Sequence, residues 1–269
     1  MQTVIGNSID VARDWLIQNE LVAIPTETVY GLAGNALNEK AVAGIFAAKN
    51  RPHFNPLILH VADWSQVEKY VANIPPEAHL LAAAFCPGPI TFLLPKKSTV
   101  PDLVTAGSDR VAIRIPNHAL TLALLAQLDF PLAAPSANPF GYVSPTTAQH
   151  VFDGLQGKIP YILDGGPSGV GVESTIVGFE PDGAVLVYRY GGISQEAIEA
   201  VLQHPVKRAL GESATHADTP GRLKSHYAPH TALYRGNMDE LLLKWKGKNV
   251  AVISFSKFYE GVKPEWSFV

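Results

Sequence analysis

Apolar residues recur at three- and four-residue intervals in some stretches and run together or alternate in short stretches between them, so helices and strands take turns along the chain. Ile9, Ala12 and Leu16 line one face of a first helix capped by Ser8, and LVAI at 21–24 follows as a strand closed by Pro25. Val42, Ile45, Phe46 and Lys49 share the helical interval and predict a helix over 38–50 with Asn38 as its N-cap. A buried strand over 57–61 comes next, with His60 near its exit. Two helices over 63–86, one starting at Asp63 and one after Pro75-Pro76, show no chemical motif and read as scaffold. A strand at 90–94 precedes RVAIRIP at 110–116, which alternates so that Val111, Ile113 and Ile115 face one side and Ala112 and Arg114 the other. A helix at 117–128, the strand PLAA at 131–134, the strands STIVGF and AVLVYRY, and a helix over 194–203 complete a first α/β unit.

Residues 205–230 are polar and without apolar periodicity, and read as a linker. Strand (TALY), helix (NMDELLLKWKG) and strand (NVAVISF) then open a second α/β unit over 231–269. A piece of that size cannot bury a core alone. The expectation is therefore a truncated chain or a piece that packs on the first domain.

Composition narrows the class. Of the 269 residues 47% are hydrophobic and 17% charged, as in a globular chain, and 21 basic against 24 acidic residues give a net charge of −3. An anionic partner must then be met by a local cluster, for which Lys49, Arg51, Arg110 and Arg114 are available. Cys86 stands alone, which excludes an intrachain disulfide and a multi-cysteine zinc site. The N-terminus has no signal-peptide design and no window has the length of a membrane span, so the expected location is cytoplasmic, with no membrane contact.

Two polar turns follow directly on short apolar strands, PTETVYGLAGNA from Pro25 and PSANPFGYVSP from Pro135, the position where open α/β sheets hold ligands. Each has an ordinary alternative as a capped connection. Ser144 before Pro145 signals a helix start. Lys49 and Arg51 either offset a helix macrodipole or hold an anion. Arg114, in mid-strand, either reaches solvent or holds an anion. DGGPSGVGVEST at 164–175 matches neither the P-loop nor the dinucleotide fingerprint, and reads as a flexible loop delivering two hydroxyls to the next strand. His226 and His230 are four apart, but Pro229 between them argues against a helical metal pair, and no metal site is expected.

Taken together, PTETVYGLAGNA, KNRPHFNPLILHV, PGPITFLL, VAIRIPNH, APSANPFG, VESTIV and YRYGGIS resemble the threonylcarbamoyl-AMP synthases with the YrdC-like fold, over about residues 8–204. The linker TPGRLKSHYAP looks like that of the two-domain branch. The family's K-x-R and distant S-x-N are present as Lys49-Asn50-Arg51 and Ser136-Ala137-Asn138. The resemblance implies a twisted, mixed α/β sheet, similar to double-stranded-RNA-binding domains, around a basic cavity, then a tether and the start of a small Rossmann-like domain. Its domains would be 1–204 (catalytic), 205–230 (linker and active-site lid) and 231–269 (incomplete).

It also implies condensation of L-threonine, bicarbonate or CO2 and ATP into threonylcarbamoyl-AMP and pyrophosphate. Downstream transfer proteins would carry the group to the adenosine beside the tRNA anticodon, so that tRNA is met only indirectly. Mg2+ would be held mainly by the triphosphate. By motif position Lys49 and Arg51 would be catalytic. Thr28, His60, Ser136 and Ser174 would form the threonine pocket, with Arg114 a partner for its carboxylate or for the α-phosphate. Arg51, Asn55, Arg110, Asn138, Ser144 and Arg189 would contact ATP, and Tyr227 would fold back over it. The competing expectations are a non-catalytic RNA-binding module, which the net charge and lack of a basic-aromatic surface oppose, and a carbamoyl-transfer domain related to hydrogenase maturation, whose accompanying modules are not visible.

Overall fold

The computed structural model describes residues 1–52, 55–180, 182–209, 231–254 and 258–259, and the backbone of 267–268. The chain divides into two compact units, Met1–Ala228 and Pro229–Val269.

In the first unit the elements run β1 (Val4–Gly6), α1 (Ile9–Ile17), β2 (Val22–Ile24), β3 (Gly31–Asn35), α2 (Glu39–Lys49), β4 (Ile58–His60), a 3-10 turn (Trp64–Lys69), α3 (Pro76–Phe85) and β5 (Ile90–Pro95). There follow α4 (Asp102–Thr105), β6 (Arg110–Arg114), α5 (Ala119–Leu125), β7 (Leu132–Ala133), α6 (Ala148–Leu155), β8 (Tyr161–Leu163), β9 (Thr175–Phe179), β10 (Val185–Arg189), α7 (Gln195–Leu202) and β11 (Lys207–Arg208). The strands form one mixed sheet in the order β1-β8-β2-β3-β7-β4-β6-β5-β9-β10-β11.

The register decides what can become a site. In the parallel pair β4 and β6, Ile58 lies beside Ala112, Leu59 beside Ile113 and His60 beside Arg114. Because side chains alternate across a strand, Leu59 and Ile113 join Phe92, Val177, Phe46 and Leu81 in the main core on one face. His60 and Arg114 are thereby on the other face. There Ala12, Leu16, Leu124 and Leu125 of α1 and α5 pack over Val22, Ile24, Ala33 and Leu132. The remaining part of that face carries the small cluster Ile58, Leu93, Ala112 and Ile176 with Tyr188 against it, and the cavity opens beside it.

Several expectations are corrected. Residues 31–35, expected as irregular turn, form β3; GLAGN lacks β-branched residues, and Gly34 is needed because a Cβ there would come 2.9 Å from Leu21 Cδ2 and 3.4 Å from Ile45 Cδ1 of α2. Ser144 does not start a helix: Tyr30 N–H donates to Pro145 O at 2.8 Å, and Thr147 caps α6 by accepting from His150 N–H. The linker does not begin at 205, since Val206 is buried and Lys207 pairs with Leu186 as β11 extends the sheet. The loop over 164–175 is tied down: Ser168, Val170 and Gly171 donate backbone bonds to Thr146, Glu27 and Thr28.

In the second unit α8 (Met238–Lys244) is capped by Asn237, and β12 (Val252–Ile253) runs parallel to β13 (Ser267–Phe268). TALY is not a strand: residues 231–237 are irregular, with Leu233 exposed. Among the described residues no helix is long and apolar enough to cross a membrane.

Candidate functional site

The helix α2 ends on Asn50 in the left-handed conformation (φ 52°), and Arg51 N–H closes back onto Phe46 O at 2.9 Å. This reversal separates the two cations. Lys49, 1% exposed, turns inward and its Nζ donates to the carbonyls of Ser136 and Asn138, while Phe140 N–H donates to the carbonyl of Lys49 at 2.8 Å. K-x-R and S-x-N are thus one fastened unit, with Lys49 beneath the cavity and not in its lining. Burial, reinforced by Arg51, pushes the Lys49 ammonium well below its usual range.

Arg51 turns toward the cavity, its Nε donating to Asn55 O at 3.2 Å and its Nη2 to Pro56 O at 2.8 Å. Burial and then Arg189 lower its guanidinium to about 9. Both side-chain polar atoms of Asn55 are buried without a hydrogen bond. Asn138 turns its amide nitrogen onto Pro139 O and Tyr142 O, leaving a buried Oδ1 unpaired.

The cavity, open to solvent on one side, is bordered by the polar turn after β2, by β4, β6 and β10, and by the turns at Ser136 and Ser174. His60 Nδ1 lies 3.2 Å from Ile58 O, and burial, then the neighbouring Arg114, depress the imidazole to about 3, so it is neutral. Arg114 Nη2 is 2.7 Å from Glu27 Oε1, so this arginine neither reaches solvent nor stands unpaired. Thr26 and Thr28 share a hydroxyl hydrogen bond of 2.8 Å. Ser174 Oγ bonds Thr91 Oγ1 at 2.7 Å and accepts from Arg189 Nη2 at 3.0 Å. Ser144 Oγ donates to Glu173 Oε1 at 2.6 Å, joining the two loops at this side of the cavity.

Thr28, Arg51, His60, Arg114, Ser136, Ser174 and Arg189 therefore meet around one cavity. Arg110 does not: at the far end of β6 its Nη1 donates to Tyr188 Oη at 2.9 Å and its guanidinium lies 3.6 Å from Glu180. Lys49, Asn55, Asn138 and Ser144 do not line the cavity: Lys49 bonds Ser136 and Asn138, Asn55 bonds Arg51 and Ser144 bonds Glu173, while Tyr227, His226 and His230 lie outside the described residues. Residues not assigned from the sequence are Glu27, Glu173, Thr26 and Thr91. Glu27 and Glu173 sit inside the motifs PTETVYG and VESTIV, which was the available signal.

Cations and hydroxyls converge on the cavity, and among its described lining residues no nucleophile is paired to a base. The Cys86 thiol is pushed up to about 12, chiefly by burial, and stays protonated at neutral pH. Such a set can orient small zwitterions and stabilise charge developing on phosphoryl oxygens. Among the described residues no three His, Cys, Asp or Glu side chains come together as a metal site.

Residues 14–191 match the Sua5/YciO/YrdC family model, described as telomere recombination, and residues 193–267 match a model described as the C-terminal domain of threonylcarbamoyl-AMP synthase. The chain is 43% identical over 265 residues to the threonylcarbamoyl-AMP synthase of Pyrococcus abyssi, covering 93% of this chain and 77% of that protein. It is 48% identical over 220 residues to that of Bacillus subtilis, covering 81% of this chain and 63% of the relative. The crystal structure of P. abyssi Sua5 complexed with L-threonine superposes with a TM-score of 0.87 at 41% identity, covering 97% of this chain and 82% of that one. Escherichia coli YciO shares the fold at 20% identity, with a TM-score of 0.64 over 73% of this chain and 98% of the other.

Proposed function

This chain belongs to the threonylcarbamoyl-AMP synthase family, and from that premise we propose that it condenses L-threonine, bicarbonate or CO2 and ATP into threonylcarbamoyl-AMP, releasing pyrophosphate. The convergence of Thr28, His60, Ser136 and Ser174 with Arg51, Arg114 and Arg189 on one cavity carries this reading. The threonine amine attacks the one-carbon unit, giving a carbamate and, from bicarbonate, water. The carbamate oxygen then attacks the α-phosphorus and pyrophosphate leaves. Neither step needs an enzyme nucleophile, so positioning and electrostatic stabilisation supply the catalysis.

In this scheme the hydroxyls and the neutral His60 hold the amino acid, and Arg51 and Arg189 face the phosphates. Lys49 acts from beneath by holding the Ser136–Asn138 turn. The nucleotide brings its Mg2+, bound chiefly through phosphate oxygens and water. The segment up to 230, including Tyr227, is a lid that excludes water from the mixed anhydride. The product serves tRNA modification through separate transfer proteins in the cytoplasm.

The test is to incubate the protein with ATP, Mg2+, radiolabelled bicarbonate and each amino acid in turn. A labelled adenylate is expected with L-threonine, less with serine, and about tenfold less or lower with valine, whose methyl leaves hydroxyl partners unpaired. Equal rates with threonine and valine sink the assignment.

A further inference from the structure

Glu27 stands in the polar turn after β2 and does not itself border the cavity, yet it controls a residue that does. Its Oε1 accepts from Arg114 Nη2 at 2.7 Å and its Oε2 from the Asn117 backbone N–H at 3.0 Å. Its own carbonyl accepts from Val170 N–H at 2.7 Å, which fixes the backbone on which the carboxylate is mounted. The pair is shielded, with side-chain exposures of 5% for Arg114 and 13% for Glu27. Arg114 Nε points to Gly88 O at 3.4 Å, so the guanidinium is held on two sides.

Charge then separates this arginine from the others. Arg114's charge is met by Glu27, and its strand neighbour His60 is neutral. Arg51 is held by the backbone carbonyls of Asn55 and Pro56 and feels Arg189 as a like charge. A triphosphate brought to Arg114 would meet the Glu27 carboxylate as well, whereas a single planar carboxylate matches the fork without over-filling it.

We propose that Glu27 is a positioning residue that makes Arg114 a clamp for the carboxylate of the amino-acid substrate and turns phosphate groups away from it. This rests on the reading of the cavity as a site for L-threonine. Because both Glu27 oxygens meet donors, an amide at this position must turn its NH2 group onto one of them.

Titration calorimetry on the full chain, with L-threonine and separately with ATP and Mg2+, tests the proposal in wild type, Glu27→Gln and Arg114→Lys. L-threonine binding is expected to weaken about tenfold or more in both variants with ATP binding within about threefold of wild type, and pyrophosphate is expected to compete with threonine only in Glu27→Gln. Unchanged or tighter threonine binding in Glu27→Gln overturns the proposal, as does an equal loss for both ligands with a lowered melting temperature, the mark of a merely structural role. If adenylate assays raise only the KM for bicarbonate, the clamp belongs to that carboxylate-type anion and the proposal fails. A wild type that binds threonine but forms no labelled adenylate sinks the synthase reading, while the same titrations still decide the role of Glu27. A wild type that binds no threonine overturns this proposal.

Discussion

Burial strips the cavity's imidazole, His60, of its proton. With the imidazole held to about 3 against an ordinary value near 6.5, the unfolded chain binds a proton that the native chain refuses. Its contribution to stability is complete above the ordinary value and is lost as pH falls toward the native one, at about 1.4 kcal/mol per pH unit. Between pH 7.5 and 5 the wild type is expected to lose about 2 kcal/mol more stability than His60→Gln. Urea denaturation of both proteins at the two pH values measures this, and parallel acid dependence would refute it. Lys49 raises a different question, since its ammonium serves two backbone carbonyls and not the cavity. Lys49→Met should therefore destabilise the fold by about 2 kcal/mol or more, because both carbonyls are left buried and unpaired. Arg51→Ala, whose side chain faces the cavity, should lower adenylate formation about 100-fold. Calorimetric melting beside turnover separates the two, and an unchanged melting temperature for Lys49→Met would return Lys49 to a directly catalytic role.

At the scale of elements, the cavity is an assembly of loops and β3 is their common post. Tyr30 sits just before β3 and ties down two of them, the turn over 135–145 at two points and the loop over 164–175. Its backbone N–H donates to Pro145 O and its carbonyl accepts from Ala137 N–H, both at 2.8 Å. Its phenol donates to Gly166 O at 2.7 Å and accepts from Gly165 N–H at 3.2 Å. Burial holds that phenol up to about 12, so it remains a donor over the working pH range. Tyr30→Phe keeps the ring packing and the backbone bonds but frees the start of the loop that carries Glu173 and Ser174. Hydrogen exchange at Gly165 and Gly166 should rise, with a stability loss of about 1–3 kcal/mol. Protection equal to wild type at both glycines would mean that the loop is held by Ser168, Val170 and Gly171 alone.

For the first unit, the described residues bordering the cavity lie between Thr26 and Arg189, on strands of the eleven-stranded sheet and the turns that join them. The last strand of that sheet ends at Arg208, and Ala209 N–H still donates to Val187 O at 3.0 Å. A chain stopped after Ala209 keeps every described residue that borders the cavity and is therefore expected to bind L-threonine with affinity within about threefold of the full chain. If the segment up to 230 is a lid, that shortened chain should still form the adenylate while losing it faster to water. Loss of threonine binding on shortening would place a needed contact beyond 209.

Local pattern alone determined much of this protein. The caps Ser8, Asn38, Asp63 and Ser194 stand where serine, asparagine and aspartate next to periodic apolar residues put them, and the alternation of 110–116 already set Arg114 opposite Ile113. Those are interactions between residues a few positions apart, which a chain expresses in its order. Motif resemblance added the reaction class and collected residues that do end around one cavity. The tertiary structure alone decided which cation faces that cavity, because Lys49 and Arg51 diverge only through the left-handed turn at Asn50 and through carbonyls some ninety residues away. It likewise decided that GLAGN is a strand, since its pairing is with β2 and β7 and its glycine fits under α2. It also gave Arg114 its partner in Glu27, 87 positions distant, a contact produced by strand order and register and not by anything either residue carries alone.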